Sequence, residues 1–418
     1  MKKNLYILLL CLFGLNLNAF IAPINLFRPY DILLLPPKHP CNRLALSIGY
    51  EGSLEVKGFQ EICQGERTFT RQVHPLQIYQ CEQDALAALK GFPVDSSVGQ
   101  LSQLFNIDDD NKTHGLFIPS GCFKVNANVM FGLRYYLPHD FIIGLFLPYF
   151  EMELKNVKFT EVEAPTFEAQ VPQANNLLQQ VEQIGCLSLD GWKRRGVGDL
   201  TLQAMWLRDF PQAKPWLENV RVNAQFGMIF PTGKHTNVNE LLAIPFGNDG
   251  GWGFMLGAGL DLRFLNYLRF GANADFMPLF GNTRCRRIKI DRSQTDLFLV
   301  NKTATFKHFG VTNYFTLYGD ITSFCRRFSF RIAYEFMQHD RDKIFPHTDK
   351  INAIIANAAE SLQEFTNHSL IFFLNYDAQK DCCNYPVRPF ISTFYKLGFD
   401  GKRSMAANTL GFMFTLNF

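Results

Sequence analysis

The sequence predicts an all-β chain, folded as a transmembrane antiparallel up-and-down β-barrel of about twelve strands with partly helical external loops. Three observations predict it. Large apolar residues alternate with small or polar ones in segment after segment, each about 9–11 residues long, which is the length at which a tilted strand crosses a bilayer. The connections between these segments alternate long and short, as external loops and periplasmic turns do. Aromatic residues make 14% of the 418-residue chain, with 42 Phe, which suits a lipid-facing surface bounded by aromatic girdles.

The chain opens with Lys2 and Lys3, then an apolar run from Leu5 to Leu15 and the polar, small-residue exit Asn16-Leu17-Asn18-Ala19. That pattern is a secretory signal peptide at 1–19, cleaved near Ala19. The run is shorter than the roughly 20 apolar residues of a spanning helix. Residues 20–41 carry Pro23, Pro29, Pro36, Pro37 and Pro40 and read as an extended periplasmic lead-in, with a short strand or small plug at 31–35. The barrel then occupies 42–418.

The first strand, 43–52, sets Leu44, Leu46, Ile48 and Tyr50 against Ala45, Ser47, Gly49 and Glu51. Residues 54–120 form a long external loop, helical in places between 76 and 89. The second strand, 123–136, places Phe123, Val125, Ala127, Val129, Phe131, Leu133 and Tyr135 on one face, opposite Lys124, Asn126, Asn128, Met130 and Arg134. Pro138-His139-Asp140 turns the chain into the third strand, 141–157, whose alternation shifts near Phe150 and suggests a bulge. A second long loop, 158–195, holds a short helix at 175–183. The fourth and fifth strands are 199–207 and 220–230. A Gly-rich loop at 231–252 leads to the sixth and seventh, 254–264 and 268–276. A basic loop, 279–307, contains Arg284, Arg286, Arg287 and Lys289. The eighth and ninth strands are 311–320 and 328–337. After a loop with a helical patch at 351–365 come the last three: 369–376, 390–399 and 410–418.

The final strand puts Leu410, Phe412, Phe414, Leu416 and Phe418 on one face and ends the sequence on an aromatic residue. It resembles the C-terminal assembly signal of bacterial outer-membrane β-barrels. The resemblance implies the outer membrane as the location, its lipid as surroundings, and recognition by the barrel-assembly machinery through Phe412, Phe414, Leu416 and Phe418. An even strand number leaves both chain ends in the periplasm.

The polar faces of the strands carry Lys124, Arg134, Arg221, Arg263, Arg269 and Arg331, and against them Glu51, Asp261, Asp275 and Glu335. Alternation turns these inward, where they line a substrate pathway. They either pair with one another and fill the lumen or form a charged selectivity ring. A net charge of +3 gives no reason to expect a nucleic-acid partner.

Gly196-Val197-Gly198-Asp199 opens the fourth strand and Pro231-Thr232-Gly233 ends the fifth. Together these motifs resemble signatures of outer-membrane transporters of the phenol-degradation (MetA-pathway) type, relatives in architecture of the fatty-acid and hydrocarbon transporter barrels. The match spans about residues 194–264. It implies passive uptake of a small solute or hydrophobic compound. No hatch motif of the fatty-acid transporters accompanies it.

Other chemistries find little support. Pro231-Thr232-Gly233-Lys234 lacks the glycine spacing and the hydroxyl residue of a phosphate-binding loop. Asp108-Asp109-Asp110 is broken as a calcium loop by Lys112 and His114. His339, Asp340, Asp342 and His347 match no standard metal spacing. No metal or cofactor is expected. An outer-membrane hydrolase needs Ser, His and an orienting group together, and the neighbours His368 and Ser369 point to opposite faces of a strand. The competing class is a non-conducting surface barrel whose loops bind a partner. Loops folded into the lumen favour transport; loops standing outward favour binding. A disulfide between Cys63 and Cys81 is plausible within the first loop.

Overall fold

The computed structural model describes residues 25–37, 43–64, 67–104, 107, 115–163, 177–265, 267–323, 327–378 and 387–418. The signal peptide and Asp108, Asp109 and Asp110 lie outside the described residues.

Twelve antiparallel strands close into a barrel. They are β1 Leu44–Gln64, β2 Leu116–Tyr136, β3 Phe141–Glu163, β4 Leu200–Pro211, β5 Leu217–Phe230, β6 Gly253–Phe264, β7 Leu268–Met277, β8 Thr312–Thr322, β9 Phe328–His339, β10 Phe365–Asp377, β11 Arg388–Lys402 and β12 Ser404–Asn417. Each strand pairs with its sequence neighbours. The ring closes where β1 meets β12, with Ile48 opposite Phe414, and β2, with Ile48 opposite Phe131. Closure removes the sheet edges, so no backbone ladder is left unpaired in lipid.

Period-two alternation sorts the side chains. Leu46, Ile48, Phe131, Phe330, Ile332 and Phe412 face outward and are 43–46% exposed. A belt of this extent needs a lipid cover. The opposite face buries Ser47, Asn128, Thr201, Gln203, Asn223 and Thr415 inside the barrel. No helix among the described residues is long and apolar enough to cross a membrane.

The long-loop end departs from expectation in several places. β1 continues to Gln64 and forms a hairpin with Arg67–Val73, and β2 begins at Leu116, so the expected loop at 54–120 is partly strand. The helical stretch expected at 76–89 is two 3-10 turns, Pro75–Gln77 and Ala87–Leu89, followed by helix α1, Ser97–Leu104. Helix α2, Leu177–Gly185, stands close to the expected place. The basic loop supplies two strands of a three-stranded external sheet and the loop after β9 the third, with Lys302–His308 between Asn282–Arg287 and Lys343–Pro346. The patch at 351–365 is only a single turn at Ala353–Ala356 and a 3-10 turn at Glu360–Leu362.

The shift read near Phe150 belongs to the partner strand. The register of β2 against β3 slips between Val125 and Ala127, so Asn126 is the extra residue. Below it, Asn128, Met130 and Arg134 face inward; above it, Phe123 and Val125 do. β3 keeps its alternation, and Phe146, Phe150, Met152 and Leu154 are all buried. The bulge thus supplies an apolar wall at the long-loop end. Phe123, Val125, Phe150, Met152 and Leu154 pack there with loop residues such as Leu76, Leu86, Val181 and Ile244. The external loops therefore fold over the mouth.

Residues 25–37 do not form a periplasmic lead-in. They run inside the barrel, because the polar inner wall offers partners for their backbone. Asn25 exchanges two hydrogen bonds with Ala407, its Nδ2 donating at 2.7 Å and its Oδ1 accepting at 2.8 Å. Phe27, fully buried, sits 4.7 Å from Phe394 and 5.8 Å from Phe373, ring centre to ring centre. The small inward element considered at 31–35 is a 3-10 turn, Ile32–Leu34, capped by Asp31.

Candidate functional site

The inner wall and the N-terminal segment together shape the lumen. Glu51 is fully buried and accepts the backbone N–H of Phe27 at 3.0 Å, Asn128 Nδ2 at 2.8 Å and the Thr409 hydroxyl at 2.6 Å. Asn128 Nδ2 also donates to the Phe27 carbonyl at 2.9 Å. Lower down, Arg134 donates to the Pro29 carbonyl at 3.0 Å and to Ser47 Oγ at 3.1 Å. Arg331 donates to the Leu33 carbonyl at 2.9 Å while its Nη2 holds Asp320 at 2.9 Å. Lys396 bonds Glu335 at 2.6 Å and lies 4.2 Å from the centre of the Phe27 ring. Charge-assisted bonds of this kind are the stronger class in a low-dielectric interior.

Of the remaining inward charges, Arg221 and Arg269 pair with aspartates, while Asp275 is held by amides. Arg221 binds Asp209 with two nitrogens, at 2.8 and 2.9 Å. Arg269 reaches Asp320 at 3.1 Å and Asp261 at 3.8 Å. Asp275 accepts Asn273 Nδ2 at 2.8 Å and is bonded by Gln225. Arg263 stands exposed at the short-turn mouth. Lys124 is the exception among the ten residues expected inside. It is exposed on the outer face opposite Glu153, because the bulge at Asn126 reverses the upper half of β2.

Three cavities follow one another along the axis. A vestibule of about 370 Å³ opens at the short-turn end, beside Leu35, Pro36 and Pro37. Five arginines (221, 263, 269, 327 and 331) and three aspartates (261, 320 and 377) line it, so it leans basic. A gap of about 30 Å³ lies above, between Asp31, Gln225, Asp275 and Glu335. The third cavity, of about 80 Å³, shares Arg28, Tyr30, Met277 and Tyr314 with that gap and rises to His339 and Phe365. Residues 25–37 are what separates the vestibule from the upper space.

The two glycine motifs meet at this upper cavity. Asp199 accepts the backbone N–H of Gly233 at 2.9 Å and of Asn248 at 2.6 Å. A Cβ on Gly247 would stand 2.3 Å from that carboxylate, so glycine is required there by space. Outside the membrane, Asp249 ties the Gly-rich loop to the external sheet. It accepts Thr236 N at 3.2 Å and bonds Arg286 at 2.5 Å. Burial alone would raise its pKa, but Arg286 and Lys307 outweigh burial and hold it below the ordinary carboxylate value.

Alternation alone reached Glu51, Arg134, Arg331 and Glu335. It missed Lys396 and Asp320, which stand on inward positions of the last part of β11 and β8. The same count, carried through those strands, would have found both. His339 stands on the same inward count of β9 as Arg331 and Glu335, two residues past the strand end expected at 337; Arg28 and Tyr30 had no such signal. His339, Asp340, Asp342 and His347 do not gather as a ligand set. His347 Nε2 stands 3.4 Å from Thr283, Asp342 pairs with Lys307, and no group of three candidate ligands occurs among the described residues. His368 bonds Tyr334 at 2.7 Å, while the buried Ser369 bonds Asn367 at 3.0 Å on the inner side. Cys81 is a free cysteine whose thiol contacts Gln60 and Arg71; the Cys63 side chain lies outside the described residues.

An apolar belt outside, a polar wall inside and a lumen occupied by its own N-terminal segment define a transmembrane β-barrel with an obstructed channel. No protein-family model matches the chain, and no curated protein is similar to it in sequence. Among solved structures, the COG4313 outer membrane channel from Pseudomonas putida F1 is similar over 92% of this chain and 100% of its own, at 11% identity and a TM-score of 0.51. That likeness shows the shared fold. The toluene transporter TbuX of Ralstonia pickettii matches over 90% of this chain and 89% of its own, at 10% identity and a TM-score of 0.32. The CymD monoaromatic hydrocarbon channel matches over 97% and 95%, at 10% identity and a TM-score of 0.31.

Proposed function

We propose that the protein is an outer-membrane channel for passive passage of a small solute or hydrophobic compound, held closed by residues 25–37 and by the inward-folded loops. One observation carries the reading: the lumen retains cavities on both sides of a segment that side chains hold through hydrogen bonds to its backbone. Such a segment can shift without breaking a strand pair. Loops packed over the mouth favour transport over outward-facing binding. A solute entering from outside meets the mixed apolar and polar upper cavity first and the basic vestibule last. Export by the signal peptide and assembly through the outward face of Phe412, Phe414, Leu416 and Phe418 belong to the same reading.

The test is single-channel conductance of the mature chain in a planar bilayer. We expect small, intermittent currents, enlarged when Arg331→Ala loosens the segment at Leu33. A folded, heat-modifiable barrel that stays silent in both forms would overturn the proposal.

A further inference from the structure

His339 ends β9 and is only 5% exposed. Its ring stacks on Phe365 at 5.1 Å and 13°, and Nδ1 meets Thr312 Oγ1 at 2.5 Å. Its other nitrogen, Nε2, is buried and has no hydrogen-bond partner among the described residues. The ring lines the upper cavity of about 80 Å³, whose apolar walls include Met277, Leu279, Phe309, Met337 and Phe365. A buried polar atom without a partner is unfavourable, and one that lines a cavity can be satisfied there by a water or by a guest.

We infer that this cavity is a binding station for a compact, neutral solute with an apolar body and one hydroxyl group, the hydroxyl bonded to His339 Nε2. The Thr312 hydroxyl can donate to Nδ1 or accept from it, which leaves Nε2 as donor or acceptor respectively. A hydroxyl serves both cases. Among the lining residues Arg28 opposes a cation and Asp199 and Asp249 oppose an anion, and both carboxylates already accept loop N–H groups. A cavity of about 150 Å³ accepts benzene, so this smaller one suits a guest on the order of five heavy atoms. The inference rests on the channel reading and names the kind of solute that would pause there.

The full chain in detergent, with 15N-labelled histidine, is titrated with 1-butanol and with n-pentane, which have equal heavy-atom counts. His339→Gln assigns the His339 resonances by their loss. The expected result is a saturable shift of the Nε2 signal with butanol, absent with pentane, and abolished when Leu279→Trp fills the cavity. The filling variant also serves if His339→Gln fails to assemble. A signal unmoved by butanol leaves water alone at Nε2 and overturns the inference; so does an equal response to both probes. Binding without bilayer conductance upholds the station and removes the channel reading. Conductance without binding removes the station alone.

Discussion

The Glu51 carboxylate accepts the backbone N–H of Phe27 at 3.0 Å, and through that bond the barrel wall holds its own N-terminal segment in the lumen. Glu51→Ala removes this acceptor and the partner of Thr409 and Asn128 together. A hydrogen bond to a charged group contributes about 2 kcal/mol. We expect larger and more frequent openings in the bilayer, with the barrel still heat-modifiable. Unchanged currents would show that the segment is held elsewhere.

Charge at the vestibule should set ion preference. Arg263→Gln takes one cation from a mouth where arginines outnumber aspartates, and anion selectivity should fall in a salt gradient. Lys124→Gln should leave the reversal potential where it was, since that side chain stands outside the wall. A shift with Lys124 would contradict the reversal of the upper half of β2.

The bulge has a stability of its own to reveal. Phe123→Ala removes a ring that the bulge turns into the apolar cap, whereas deleting Asn126 leaves Val125 opposite Met152 and both side chains inward. Losing one buried side chain of this size costs roughly 1.5–3 kcal/mol. The melting temperature of the heat-modifiable form should drop, and protection of the external loops should weaken.

Asp249 gives the cap a pH dependence. Its folded pKa is below the ordinary value, so its contribution is present above the unfolded pKa. That contribution is lost as pH falls through the folded pKa. Hydrogen-exchange protection of residues 231–252 should therefore survive mild acid and fail only in strong acid. Asp249→Asn should lack the extra protection already at neutral pH. Equal protection of the two forms at neutral pH would remove Asp249 as the tie.

The barrel itself was legible in the sequence. Each of the twelve segments read from alternation forms a strand, because side-chain direction in a strand depends only on position along it. The long and short connections, and the inward placement of Glu51, Arg134, Arg331 and Glu335, follow from the same local rule. Tertiary structure alone decided what those charges do. Glu51, Arg134 and Arg331 bind a segment whose proline-rich sequence suits an extended chain anywhere, and nothing local states that it lies within the ring. The reversal at Asn126 depends on the register with β3, so Lys124 was placed on the wrong face. The orphaned nitrogen of His339 exists only because Thr312, Phe365 and the upper cavity converge on it from separate strands and loops. Alternation is a property of neighbours in sequence; occlusion and binding are properties of neighbours in space.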